Sequence, residues 1–414
     1  MTINNFKRVP KTGVLFVMAK AEEQGFYYGN REWTNLGQGA PETGDILSGL
    51  SRSINISIDH VSAEYGPVAG SLELRKAIAT LYNHRYRRDK KSQYTHANVA
   101  ISSGGRSALT RIAATIDNVN LGHFLPDYTA YEELLGLFNS FVAIPIPANE
   151  KNGFKLSLAE IKAAIIDMGL GAILLSNPCN PTGQVLQGGN LHKLIKTTRE
   201  LGCSVIFDEF YAHYVYRKYK AESLSAARYV EDVDRDGVLI VDGLTKNWRY
   251  PGLRIGWTLG PAELIDSIAA AGSFLDGGAT HAIQSAVLPL LTPKYAGQEC
   301  RSIQNAFRCK RDYMFTRLSQ MGFVFKSMPT GGFYCFPSLE NIAEPLQDGM
   351  VLFNKLLKRK VICVPGEFFD VNPGRRRRNI KSRLKKYVRF SFGPNMDEIT
   401  QGLDRIEALL KDFS

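Results

Sequence analysis

Four short apolar runs, each stopping at polar residues or glycine, constrain this chain more than any other feature. Val99-Ala100-Ile101 ends at Ser103-Gly104-Gly105, and a helical pattern follows from Ala108 to Ile116. Gly171 to Leu175 ends at Ser176-Asn177-Pro178, Cys203 to Phe207 at Asp208-Glu209, and Val238 to Val241 at Asp242-Gly243. Runs this short, alternating with helical periods, predict an α/β fold with a mostly parallel sheet sandwiched by helices. Ligands of open α/β sheets bind beyond the carboxyl ends of the strands. The four polar ends are therefore where a site is expected.

A chain of 414 residues is expected to form two or three domains. From about residue 301 the pattern changes. Cys309 to Met321 reads as a helix, and Gly322 to Phe325, Gly332 to Phe336 and Tyr387 to Phe392 alternate like half-buried strands. Asp397 to Leu410 reads as a closing amphipathic helix. The expected division is an N-terminal arm over 1–50 that joins the small domain, a large domain over 51–300, and a smaller α+β domain over 301–414.

The six cysteines form no CxxC pair, which argues against a zinc or redox motif and for a reducing compartment. No metal site is expected. No stretch has the length of a signal peptide core or a membrane span, so a cytoplasmic location is expected. The net charge is +11, but eight cations lie between Arg375 and Lys386, with no acid from Val371 to Lys386. This segment reads as a solvated loop, or as a binding loop for acidic or phosphate-rich partners.

Four segments at the strand ends carry chemistry. Asn177-Pro178-Cys179-Asn180-Pro181-Thr182-Gly183 is a rigid turn able to aim the Asn180 amide. Asp208-Glu209-Phe210-Tyr211 sets a carboxylate at a strand end, although acids there also suit helix caps. Asp242 to Arg254 places Lys246 and Arg254 eight residues apart across a Pro-Gly turn. Ser102 to Leu109 joins a strand to a helix through Gly104-Gly105, and free N–H groups at a helix start suit a phosphate. No Gly-x-x-x-x-Gly-Lys-Ser/Thr loop occurs, which disfavours that class of nucleotide triphosphatase. A primary amine, a carboxylate, a tyrosine, an amide, an arginine and an anion-binding helix start together are what an aldehyde cofactor with a basic ring and a phosphate tail requires.

With these motifs the chain resembles the fold-type I pyridoxal-phosphate enzymes of the class I/II aminotransferase family, from Gly37 to about Leu410. The Asn-Pro-x-Asn-Pro-Thr-Gly turn, the Asp-x-x-Tyr step, the Lys-to-Arg spacing and the 28 residues from Asn180 to Asp208 carry the resemblance. It implies a mostly parallel seven-stranded sheet in the large domain and pyridoxal 5'-phosphate as cofactor. It further implies amino transfer between an L-amino acid and a 2-oxo acid.

Lys246 resembles the family's Schiff-base lysine and Asp208 the carboxylate that keeps the pyridine nitrogen protonated. Tyr211 and Asn180 are similar to the pair that hydrogen-bonds the ring 3′-oxygen, and Tyr128 to the aromatic that stacks on the ring. Gly105, Arg106 and Arg254 would hold the phosphate, with Thr245 beside them. Arg389 resembles the arginine that forks onto the substrate carboxylate, and Gly39 the loop that closes over substrate. Tyr65 matches a tyrosine that reaches the phosphate of a neighbouring subunit, which implies a homodimer with shared sites.

Two features depart from the family pattern. Gly243 stands where many relatives place a phosphate-binding serine, and Arg249 adds a cation beside the lysine. They motivate an alternative in which the same cofactor runs a lyase, cyclase or oxidase reaction on an amino acid. The segment over 371–386 lengthens the distance from Lys246 to Arg389. It leaves a nucleic-acid-binding role as a remote third reading. Trp33, Tyr27, Tyr28 and Trp248 could line a pocket for a large substrate or serve in packing.

Overall fold

The computed structural model describes residues 9–47, 49–216, 222–377 and 380–413. Seven strands form the central sheet: β1 (Val99–Ser102), β2 (Asn120–Leu125), β3 (Val142–Pro147), β4 (Leu170–Ser176), β5 (Ser204–Asp208), β6 (Val238–Gly243) and β7 (Gly256–Leu259). Their spatial order is β1-β7-β6-β5-β4-β2-β3. Only β7 runs against its neighbours, pairing antiparallel with β1 and β6, so the sheet is mixed but mostly parallel, as expected. The other six strands therefore end on one side.

The apolar runs are continuous because both faces of the sheet are covered. Ala172, Leu174 and Ile206 enter one core, whereas Ile173, Leu175, Val205 and Phe207 enter the other. The strands that do not announce themselves in the sequence have local reasons. β2 carries Gly122 and His123. β3 contains Pro145 and Pro147, which its position at the sheet edge tolerates. β7 begins at Gly256.

A second, antiparallel sheet has the order Val364–Pro365, Val388–Ser391, Tyr334–Cys335. The helix expected from Cys309 runs over Pro293–Gln320, so the expected boundary at 300/301 falls inside it. Thr292 caps its start by accepting from the Tyr295 N–H. The expected strand at Gly322 to Phe325 makes only an isolated bridge, Val324 to Ser338. Asp397 to Leu410 lies within the helix Met396–Lys411, capped by Asn395. In the first fifty residues, Gly13–Glu22 is helical and Thr34–Asn35 pairs parallel with Val361–Ile362. Among the described residues, no helix is long and apolar enough to cross a membrane.

Candidate active site

Lys246 follows β6 in a loop closed by backbone hydrogen bonds from Leu244 N–H to the Ile255 carbonyl and from Tyr250 N–H to the Leu244 carbonyl. Its amine donates to the Gly39 carbonyl. Burial pulls the Lys246 amine down to about 7, and the guanidinium groups of Arg389, Arg106 and Arg254 push the same way against Asp208. An amine that is half neutral near pH 7 is a competent nucleophile toward a carbonyl carbon.

Asp208 ends β5 and is buried. The Tyr131 hydroxyl donates to its Oδ2 at 2.8 Å, and the Phe210 N–H to its Oδ1 at 3.3 Å. Burial raises its carboxyl above the usual carboxylate range, and those two hydrogen bonds together with Lys246 oppose the shift. A cation held against it, such as a protonated ring nitrogen, would return it to the charged form.

The third part is an anion cradle. The helix Gly105–Thr115 begins after β1, and its N-cap, Gly104, supplies no capping side chain. Its first N–H groups are therefore open to a ligand. Gly104 has φ +86°, and a Cβ there would lie 2.6 Å from the Arg254 guanidinium. A Cβ on Gly105 would lie 2.4 Å from the Phe210 ring. Glycine thus lets Arg254 close on the helix start. Arg106 donates to the Tyr128 hydroxyl at 3.1 Å. Thr245 is half-buried beside Lys246.

The fourth part surrounds Arg389, which is 1% exposed on the strand Val388–Ser391. It donates to the Asn180 Oδ1 at 2.9 Å and to the Gly37 carbonyl at 2.7 Å, while its Nε has no partner among the described residues. Its guanidinium lies 4.2 Å from the Tyr334 ring centroid and 5.0 Å from that of Phe369. The Tyr211 and Tyr334 hydroxyls share a hydrogen bond of 2.9 Å. A buried guanidinium with an unused donor suits a carboxylate.

Lys246, Asp208, Tyr211, Asn180, Tyr128, Arg106, Gly105, Arg254, Gly39 and Arg389 thus lie around one site, with Thr245 next to the lysine. Tyr65 does not join them, for its side chain is 99% exposed. Sequence reasoning passed over Tyr131 and Tyr334. Tyr131 was legible in principle, because a residue three beyond Tyr128 in a turn shares its side, and the Tyr131 N–H does bond to the Tyr128 carbonyl. Tyr334 comes from the second sheet, and no local signal ties it to Tyr211.

The structure corrects the reading of both departures. Arg249 is no site cation. It is fully buried, donates from Nε to Glu299 at 2.9 Å and from Nη1 to the Glu42 and Gly44 carbonyls. Gly243 is set by packing, because a Cβ there would lie 2.6 Å from the Ile255 carbonyl oxygen and 2.7 Å from the Gly256 Cα. Trp248 packs against His213 and Trp257, and Trp33 is buried against Phe26, whereas Tyr27 and Tyr28 are exposed. The basic segment is partly tied down. Arg377 pairs with Asp370 at 2.7 Å and Lys385 with Asp348 at 2.7 Å, whereas Arg378 lies outside the described residues.

A half-neutral lysine, a buried carboxylate and an anion cradle at the strand ends of the central sheet, faced by a buried arginine from the second sheet, define an enzyme that works through a phosphorylated aldehyde cofactor. Residues 31–406 match the family described as aminotransferase class I and II. A probable aspartate/prephenate aminotransferase of Aquifex aeolicus is 29% identical over 353 residues, covering 84% of each chain. Aromatic-amino-acid aminotransferase 2 of Thermococcus litoralis is 24% identical, covering 91% of this chain and 92% of that one. The aspartate aminotransferase of Thermus thermophilus solved with maleate shares the fold, with a TM-score of 0.77 at 24% identity over 98% of this chain and all of that one. This chain belongs to the class I and II aminotransferase family and is a pyridoxal-phosphate-dependent aminotransferase of fold type I.

Proposed function

We propose that Lys246 holds pyridoxal 5'-phosphate and moves the proton that amino transfer requires. The observation that carries this is a buried amine brought down to about 7, set between an anion cradle and a buried carboxylate. When bound, the cofactor supplies an aldehyde carbon for the amino group and a ring that accepts the electrons left by Cα–H cleavage. Asp208 orients the ring through its nitrogen, and Tyr131 fixes the Asp208 carboxylate by hydrogen bonding. Tyr128 would stack on the ring, while Tyr211 and Asn180 would hydrogen-bond its 3′-oxygen. Gly105 N–H, Arg106, Thr245 and Arg254 receive the phosphate. Arg389 forks onto the substrate carboxylate, which brings Cα within reach of the Lys246 amine. The Gly37–Gly39 backbone, which already touches both Arg389 and Lys246, closes the site against water.

Borohydride treatment of the loaded protein tests the assignment. The cofactor mass is expected on the peptide containing Lys246, and Lys246→Ala is expected to lose that label and about 10²-fold or more in rate. Label on another lysine, or wild-type turnover in the variant, would reject it.

The substrates are an amino acid and a 2-oxo acid, and the side chain they carry is best found by screening amino acids for loss of the cofactor's aldehyde absorbance. The features that motivated a lyase, cyclase or oxidase outcome, Gly243 and Arg249, are accounted for by packing and by the Glu299 ion pair. A cytoplasmic homodimer is part of the proposal. The exposed Tyr65 would reach the phosphate site of the second copy, and Ile58 and Val61 on the same stretch are also exposed. The division into an arm over 1–50, a large domain over 51–300 and a smaller one over 301–414 is proposed with it.

A further inference from the structure

Behind the Asn177–Gly183 turn lies a cavity of about 190 Å³. None of Lys246, Asp208, Tyr211, Asn180 or Arg389 lines it. Its apolar wall includes Phe124, Leu175 and Val185, and its polar wall includes Asp127 and Gln184, with the exposed Lys155 as a further lining residue. This is many times the space one water molecule needs.

Two buried polar side chains on this wall have capacity to spare. Asp127 is 1% exposed, and its Oδ1 accepts only the N–H of the adjacent Tyr128, at 2.8 Å. Among the described residues, no cation pairs with it. Burial holds its carboxyl well above the usual carboxylate range, and Asp208 adds to the shift. Gln184 is 8% exposed, and among the described residues its side-chain amide makes no hydrogen bond. Buried acids without a partner are costly when charged, and a bound cation removes that cost. Apolar walls with a few convergent polar groups are the usual make-up of a small-molecule site.

We propose that this cavity is a second ligand site for a small organic ammonium ion with an apolar body, its nitrogen against Asp127, its body along Phe124, Leu175 and Val185, and a polar edge toward Gln184. The site is coupled to catalysis through the chain. Asp127 directly precedes Tyr128, and its N–H donates to the carbonyl of Phe369, whose ring lies by Arg389. The turn on the cavity's other side carries Asn180, and its Gly183 carbonyl accepts from the Thr330 and Gly331 N–H groups. An occupant therefore touches both elements that place the ring-facing residues.

The ammonium could come from a free amine or from an amino acid, and two tertiary probes separate these sources because neither can form an imine with the cofactor. Calorimetric titration of the cofactor-loaded enzyme with N,N-dimethylbenzylamine should show saturable binding at about 1 mM or tighter. Asp127→Asn should weaken it by about tenfold or more, since a buried charge pair is lost. Val185→Trp, which fills the cavity, should abolish it and serves if Asp127→Asn does not fold. Equal binding of N,N-dimethylphenylalanine would assign the site to amino acids, and its failure to bind would assign it to amines. No saturable binding, full binding by both variants, or equally tight binding of the anion 3-phenylpropionate would overturn the proposal. These readouts do not depend on Lys246 chemistry, so they stand or fall apart from the reading of the active site.

Discussion

Lys246 is ordinary in the sequence and unusual in the fold. In water its amine would be protonated at neutral pH. Burial and three guanidinium groups bring it to about 7, so its neutral fraction grows as pH rises through that value. Uptake of pyridoxal phosphate by the cofactor-free protein should therefore accelerate from pH 6 to 8 and then level off, as followed by absorbance. A profile still climbing toward the ordinary lysine value would contradict this. Arg389→Leu removes the largest cationic contribution and should move the midpoint to higher pH. Tyr131→Phe deletes the hydroxyl that donates to Asp208, an interaction with a charged partner worth about 1.5–3 kcal/mol. Turnover should fall by about tenfold, and urea unfolding should show a stability loss of the same order, about 1.5–3 kcal/mol. The motif spacing makes Lys246, Asp208 and Asn180 legible as a set, but Tyr334 meets Tyr211 only because two sheets face each other.

At the scale of elements, glycine decides how closely the sheet and the cradle approach. Gly243 pairs with Gly256 across β6 and β7, and a Cβ on Gly256 would lie 2.8 Å from the Gly104 backbone. Gly243→Ser should cost about 1–3 kcal/mol in unfolding free energy, the usual range for overpacking. An unchanged urea midpoint would show that the strands can part to admit a side chain. The strongest strands were readable because burial on both faces leaves continuous apolar runs. β3, with its two prolines, and β7, an antiparallel strand starting at glycine, gave no such run. The helix Pro293–Gln320 was read short because its first turns hold Pro293 and Gly297, both poor helix formers, and its Glu299 is buried beside Arg249 and Arg52 through pairs that no local signal shows.

At the scale of the whole molecule, the ion-pair group of Arg249, Glu299 and Arg52 anchors the segment that leads out of the site-closing loop. Arg52 also donates to the Trp248 and Arg249 carbonyls, and Lys310 pairs with Glu42 at 2.5 Å. Arg249→Met leaves Glu299 with a single partner, and thermal unfolding should show a loss of about 3 kcal/mol. Sedimentation is expected to give a dimer, and an active monomer at assay concentration would remove the role proposed for Tyr65. By itself the sequence determined the fold class and the chemical kit, because strand ends and motif spacings are local and both are written in consecutive residues. Only the tertiary structure decided which cations face the site, why Gly243 admits no serine, and what holds Asp208. Those outcomes depend on burial and on distances between residues far apart in the chain, and neither is a property of any single stretch.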